Sequence, residues 1–405
     1  MPRTLRPLRF HEQLRATLRE LEPGLWRWFS SDKFGKSYSD DVRLELLRST
    51  YRMPQEDHAK LYAIATEVAR ALAIEAPITL YQAQEDGALN AGLLFVPGAV
   101  HVVLRGPVTQ TLSDGELHAL FGHELAHYDL WTRDGGEHRV TGALVEHVAA
   151  SPGAAPSHVQ TALRMRKWTE IYADRGALVA CDDLGTAVAC LVKMSTGLSS
   201  VSAEAYVAQA REAIDGPTKS DALTHPETFV RAFALESWAR GEEEDEKLRQ
   251  LVEGLRQIDA LDLIQQREMS GTTQRLIARV LTPSFMRTET TLAHARRFFP
   301  DATFDAPDDD ELLFEAEGSV AEYAAYVLLD FGMVDGDIEE LSMPWIAHLA
   351  GELGVRETFH RIARKELRLS AASYAELERR GADLAKPAQP AIAQASDPPP
   401  QPEAS

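Results

Sequence analysis

The sequence of 405 residues predicts an α+β protein, mainly helical, with one small β-sheet and, further along, a small all-α domain. Three observations carry that prediction. Apolar residues recur at helical spacing over most of the chain. Strand-like runs gather between residues 78 and 104. The helical pattern then resumes and holds to about residue 380.

Residues 1–75 read as helical; within them His58–Ala73 sets Leu61, Ile64, Ala65, Val68 and Leu72 on one face. Ile78–Gln82 reads as a short strand, and 91–96 and 100–104 as two more, flanking the turn signal Pro97-Gly98. The next helix has a clear start. Ser113-Asp114-Gly115-Glu116 fits a capping box, in which the Ser and Glu side chains satisfy each other's free backbone N–H groups. It runs on through Leu117, Leu120, Phe121, Leu125 and Tyr128, apolar on several sides, as buried helices are. It also carries His123, Glu124 and His127, polar groups that need partners once buried, and that conflict marks a candidate site.

A loop rich in Gly, Pro and Ser at 151–157 precedes a second long helix, Ser157–Ala180. Thr224-His225-Pro226-Glu227 predicts a third capped start, with Pro tolerated in the first turn. The acidic run Glu242–Glu246 reads as a solvated helix face or linker. Helical pattern continues to about Phe299, Pro300–Glu311 reads as a boundary, and residues 319–380 form a further helical block. The expected divisions are an N-terminal helical extension (1–54), a mixed helix-and-strand domain (55–240), a helical connector and linker (241–311), an all-α domain (312–385) and a disordered tail (386–405) rich in Ala, Pro, Gln and Ser.

With 44% hydrophobic and 26% charged residues, the composition is that of a folded protein. The 62 acidic against 42 basic residues give a net charge of -20, which argues against nucleic acid and anionic membranes as partners. Residues 1–22 lack an apolar core followed by a small-residue cleavage site, and no long uncharged apolar run suggests a spanning helix. Two cysteines, Cys181 and Cys190, cannot build a disulfide framework and are expected as reduced core thiols. Together these features point to the cytoplasm.

The chemistry centres on His123-Glu124-Leu125-Ala126-His127. Helical residues four apart lie one above the other, about 6 Å along the axis, so both imidazoles can hold one metal ion. Zinc suits such a site because it accepts imidazole nitrogen and carboxylate oxygen in a tetrahedral shell. Glu124 points about 100° away around the helix, where it can serve an attacking water as general base without being a ligand. A third ligand of the right class is Glu170, 43 positions after His127 (170 minus 127) on the second long helix. Asp174 lies one turn further on the same face, and a carboxylate there can accept the N–H of a ligand imidazole and fix its tautomer. The small residues Ala173, Gly176, Ala177 and Ala180 let this helix approach the first one closely. His118, His138 and His147 have no ligand spacing to the motif and read as structural or surface residues.

The helix His123–His127, the stretch Glu170-Ile171-Tyr172-Ala173-Asp174-Arg175 and Thr224-His225-Pro226 resemble the three signatures of the M48 metallopeptidases, gluzincins that include the CAAX prenyl-protein proteases and HtpX-type proteases. Asn90-Ala91 resembles the family's edge-strand motif, and the likeness covers roughly residues 55–240. The resemblance implies a zincin-like fold and a zinc-dependent endopeptidase acting on protein or peptide substrates. It implies one Zn2+ per chain on His123, His127 and Glu170, with Glu124 as the base. Asp174 would support a ligand His, His225 and Asn90 would stabilise the oxyanion or orient the substrate backbone, and Arg231 would stand near the active site. This sequence departs from the best-known members in lacking transmembrane helices, which puts membrane substrates and prenylated peptides in doubt.

The C-terminal block, where Val334-Asp335-Gly336-Asp337 links two helical patterns, weakly resembles the TerB-like helical domain. The loop is no EF-hand, because the last ligand position counted from Asp335 falls on Ile346, which has no oxygen to offer. The alternative function is a catalytically silent or autoinhibited zinc-binding protein that works as an interaction module through its acidic C-terminal domain. Structural zinc sites are closed and rich in Cys, whereas three ligands without Cys leave an open position, and Glu124 has no purpose in a purely structural site.

Overall fold

Strand-forming residues alternate around one tight turn between 78 and 105, and they pair across it. The computed structural model describes residues 4–84, 88–215, 225–242, 246–254, 256–305, 314 and 318–385. Thr224, most of the acidic run after Glu242, the acidic stretch 306–311 and the tail from Lys386 lie outside them. Strands β2 (Ile78–Ala83), β3 (Asn90–Val96) and β4 (Ala99–Arg105) match the expected positions. β3 and β4 form an antiparallel hairpin with Val96 opposite Ala99, and Gly98 takes the positive φ of 75° that the two-residue turn requires. β4 pairs with β2 in parallel, and β2 takes an antiparallel partner, β1 (Thr50–Arg52). The strand order is β1-β2-β4-β3, so β3 lies at one edge.

Residues 1–75 were expected to be helical throughout, and β1 is the exception. Thr50 and Tyr51 are strand-formers, and the partner that draws them into the sheet, Tyr81–Ala83, is 29 to 33 positions further along the chain. Around β1 the segment is helical: α1 (Arg9–Leu21), α2 (Pro23–Phe29), α3 (Asp32–Ser49) and α4 (Ala59–Ala71). Alternation along the strands gives the sheet two buried faces. Leu80, Val100, Val102 and Leu104 join the main core with α4, whereas Tyr81, Val103 and Val96 meet Val42 and Leu46 of α3.

After the short α5 (Val108–Thr111) come the long helices α6 (Asp114–Thr132), α7 (Glu137–Ala149) and α8 (Pro156–Cys181). The capping box at α6 is present: Ser113 N–H donates to Glu116 at 2.7 Å, and Ser113 Oγ accepts from Glu116 N–H at 3.4 Å. α6 and α8 cross at a glycine contact. A Cβ on Gly122 would fall 2.5 Å from Ala180 Cβ, and one on Gly176 would meet Ala126 Cβ and stand 2.7 Å from Gly122 O. Next come α9 (Leu184–Thr196), α10 (Ala203–Asp215), α11 (Thr228–Ala239) and α12 (Glu246–Glu253).

The expected third capped start is displaced. α11 begins at Thr228, not Thr224, with Glu227 extended at its N-cap (φ -58°, ψ 149°) and no side-chain cap. The ring of Pro226 bars helical conformation from His225, so the helix begins beyond both.

The chain divides into two units, Met1–Arg267 and Glu268–Ser405, with the boundary inside α13 (Leu263–Val280). Residues of the expected connector 241–311 contribute to both: Leu248, Leu251 and Val252 of α12 join the first core, and Leu276, Ile277 and Ala295 the second. The second unit is all helical among its described residues, with α14 (Glu289–Phe298), α15 (Ser319–Met333), α16 (Glu339–Glu352), α17 (Arg356–Leu367) and α18 (Ala371–Leu384). The Asp335-Gly336 turn joins α15 to α16. Asp335 is buried there, accepting from Thr288 Oγ1 at 2.6 Å and Asp337 N–H at 3.1 Å. No described helix is long and apolar enough to cross a membrane.

Candidate active site

Imidazoles four residues apart on α6 sit one turn above the other, and the rings of His123 and His127 meet edge to face with centroids 5.0 Å apart. The Gly122–Gly176 crossing brings α8 close enough to set Glu170 opposite both. His123 Nε2 is 3.6 Å from Glu170 Oε2, and His127 Nε2 is 3.8 Å from Glu170 Oε1. One ligand atom from each of the three can lie within 4.8 Å of the others.

Asp174, one turn after Glu170, accepts from His123 Nδ1 at 3.0 Å. That places the ring proton on Nδ1 and leaves the Nε2 lone pair facing Glu170. Arg231 of α11 completes the support, donating from Nε and Nη2 to the two oxygens of Asp174 at 2.7 and 2.6 Å. Its Nη2 also stands 3.3 Å from Glu170 Oε2.

The charges are set by this network. Burial opposes ionisation of Asp174 and Glu170, but Arg231 and the histidines outweigh it and hold both carboxyls below their usual range. Burial likewise opposes a charged His123, and the bond to Asp174 outweighs it in turn, so its pKa is raised. Burial and the neighbouring His123 lower His127 to about 4. Glu124 is buried on the cleft side of α6, where burial pushes its carboxyl up to about 7 against the pull of His123 and a hydrogen bond from the Leu93 backbone.

These side chains line a cleft of 660 Å³ whose wall includes Asn90, Leu93, Trp131 and Leu191. Among the described residues β3 is bonded to β4 alone, and its outer edge borders the cleft. Asn90 begins that strand, exposed, with Oδ1 accepting from Ala91 N–H at 2.9 Å. His225 stands before α11, 62% exposed, with Nε2 3.7 Å from Glu170 Oε1.

The structure thus brings His123, Glu124, His127, Glu170, Asp174, Arg231, Asn90 and His225 around one cleft. Cys190 is a buried thiol on its wall, Cys181 is half-buried, and both are free. His118 lies apart, paired with Glu67 at 3.0 Å, and His147 packs edge-on against Phe29. His138 is fully buried beside Glu12 and Asp134. Two features escaped the sequence reading. Gly122 is half of the helix crossing, and a Gly inside a helix, costing about 1 kcal/mol against Ala, is the signal that marks such an approach. Leu93 holds Glu124 through its backbone, which no side chain announces.

Residues 55–239 match the model of Peptidase family M48. The chain is similar to the protein named plastoglobule-localized metallopeptidase 48, chloroplastic, from Arabidopsis thaliana: 26% identical over 254 residues, covering 57% of this chain and 71% of that one. No solved structure matches. The matched segment contains the whole cleft, from Leu89 to Leu235, on the α6–α8 pair and sheet edge of a zincin-like fold. Residues 55–239 of this chain are thus similar to peptidase family M48.

Proposed function

We propose that the chain is a zinc-dependent endopeptidase in which His123, His127 and Glu170 hold one zinc ion and Glu124 is the general base. The supporting observation is the convergence of two imidazole Nε2 atoms on one carboxylate at 3.6 and 3.8 Å, beside a buried Glu, in a cleft bordered by an open strand edge. Zinc bonds of about 2.0–2.2 Å can bridge such gaps with little movement of the ligands, and Asp174 has already fixed the His123 tautomer that leaves Nε2 free. When bound, zinc supplies Lewis acidity toward a carbonyl and lowers the pKa of a water.

The residues do the rest. Glu124, its pKa near 7, is matched to take a proton from water at neutral pH and return it to the leaving amine. The outer edge of β3 accepts an extended peptide as an added strand, with Asn90 at its start to orient the peptide backbone. His225, exposed beside Glu170, is in reach of an oxyanion as donor. Arg231 holds Asp174, and through it His123. The substrate is a protein or peptide.

The autoinhibited reading meets one observation against it: among the described residues none before Leu89 lines the cleft, so the N-terminal helices leave it open. We read 312–385 as the TerB-like helical domain and the cytoplasm as the compartment. Purified protein should cleave casein or a peptide library, lose this on chelation and regain it with added zinc. Zinc-loaded protein that cleaves nothing would favour the silent reading.

A further inference from the structure

A second set of ligand-type side chains lies outside the cleft. Glu12 comes from α1, Asp134 from the turn after α6, and His138 from the first turn of α7. None of the three lines the cleft. His138 is 0% exposed, its Nδ1 has no hydrogen-bond partner, and its Nε2 makes no hydrogen bond of regular geometry. A buried imidazole left so costs free energy unless something else occupies it. Its Nε2 points at two carboxylates, 3.5 Å from Glu12 Oε1 and 3.4 Å from Asp134 Oδ2. Those gaps are as short as the ones around Glu170 in the cleft. They also match the separation of about 3.4 Å that bonds of about 2.0–2.1 Å impose on neighbouring ligands of a tetrahedral ion.

We propose that Glu12, Asp134 and His138 form a second divalent-cation site of the zinc class, which clips α1 to the corner between α6 and α7. One imidazole and two carboxylates neutralise a dication, and the exposed sides of Glu12 and Asp134 leave room for water to complete the shell. α1 buries Phe10, Leu14 and Leu18 in the peptidase core, and its His11 meets Thr169, the neighbour of Glu170, at 3.3 Å. An ion here would therefore brace the back of the ligand-bearing helix α8.

Arg15 is the resident competitor. Its guanidinium holds Asp134 Oδ2 at 2.7 Å and Glu12 Oε2 at 2.6 Å. Glu137 Oε2, at 3.4 Å, gives it somewhere to turn, and Glu12 Oε1 is left to the ion. Removing the Arg15 charge should tighten binding.

The test uses untagged full-length protein carrying His123→Ala and His127→Ala, stripped of metal and titrated with Zn2+ by calorimetry, with native mass spectrometry for stoichiometry. One Zn2+ should bind and raise the melting temperature. Adding Glu12→Gln with Asp134→Asn, one partly and one well exposed, should abolish it, and adding Arg15→Gln should tighten it severalfold. No bound Zn2+, or binding unchanged by Glu12→Gln with Asp134→Asn, would overturn the site. Should the doubly substituted background lose its circular dichroism, the count is made in the otherwise unaltered chain: two ions, falling to one with Glu12→Gln and Asp134→Asn. An equal count in both would overturn the site equally. Neither version depends on whether the cleft hydrolyses peptides.

Discussion

Asp174 shows how a single buried carboxylate can set the state of its neighbours. It accepts from His123 Nδ1 and from both arms of Arg231, so its negative charge is stabilised and the His123 tautomer is fixed. Asp174→Asn keeps the shape and removes the charge. Zinc affinity should fall about 10–100-fold, the usual cost of losing such a partner, as read in a competitive chelator titration; unchanged affinity would reduce Asp174 to a helix-pairing residue. His225 is the opposite case, exposed and outside any helix. His225→Phe should leave the melting temperature and zinc content nearly as they were, since exposed substitutions seldom move stability by more than about 0.5 kcal/mol. If it donates to the oxyanion, kcat should drop about 10²–10³-fold while KM moves little. A normal kcat removes it from the mechanism.

Helices α6 and α8 hold the ligands in register only because two glycines meet where they cross. Gly176→Ala drives a methyl into Ala126 and the Gly122 carbonyl, so the helices must part. Overpacking of this kind costs about 1–3 kcal/mol. Because Glu170 and Asp174 ride on α8, zinc affinity should fall with the melting temperature; a variant that melts and binds like the parent would mean the crossing is slack. Elements encoded locally were readable from the sequence. The capping box fixed the start of α6, Pro97-Gly98 fixed the hairpin, and the expected Ser157–Ala180 helix differs from α8 (Pro156–Cys181) by one residue at each end. Elements decided by distant partners were not. β1 exists because Tyr81–Ala83 is there to pair with it. α11 starts at Thr228 rather than Thr224, because the restraint Pro226 puts on His225 outweighs the capping-type residues before it. The facing of His138 toward Glu12 depends on a helix more than a hundred residues earlier in the chain, which spacing around the motif cannot reveal.

At the scale of the molecule, the C-terminal unit has its own core, in which Leu276, Ile277 and Val280 join Phe331, Ile346 and Phe359. A fragment of residues 268–385 should therefore show helical circular dichroism and a cooperative melt. Residues 312–385 alone, lacking those three and Ala295, should melt lower; two equal melts would mean that α13 and α14 add nothing to that core. The central claim is that one set of residues holds zinc and a different residue moves the proton. It is tested most directly by measuring zinc content and peptide cleavage on the same preparations of Glu124→Gln and His123→Ala. Glu124→Gln should keep about one equivalent of zinc in the cleft and lose cleavage, because only the base is gone, whereas His123→Ala should lose both. Zinc loss in Glu124→Gln as large as in His123→Ala, or cleavage that survives Glu124→Gln, would contradict the account.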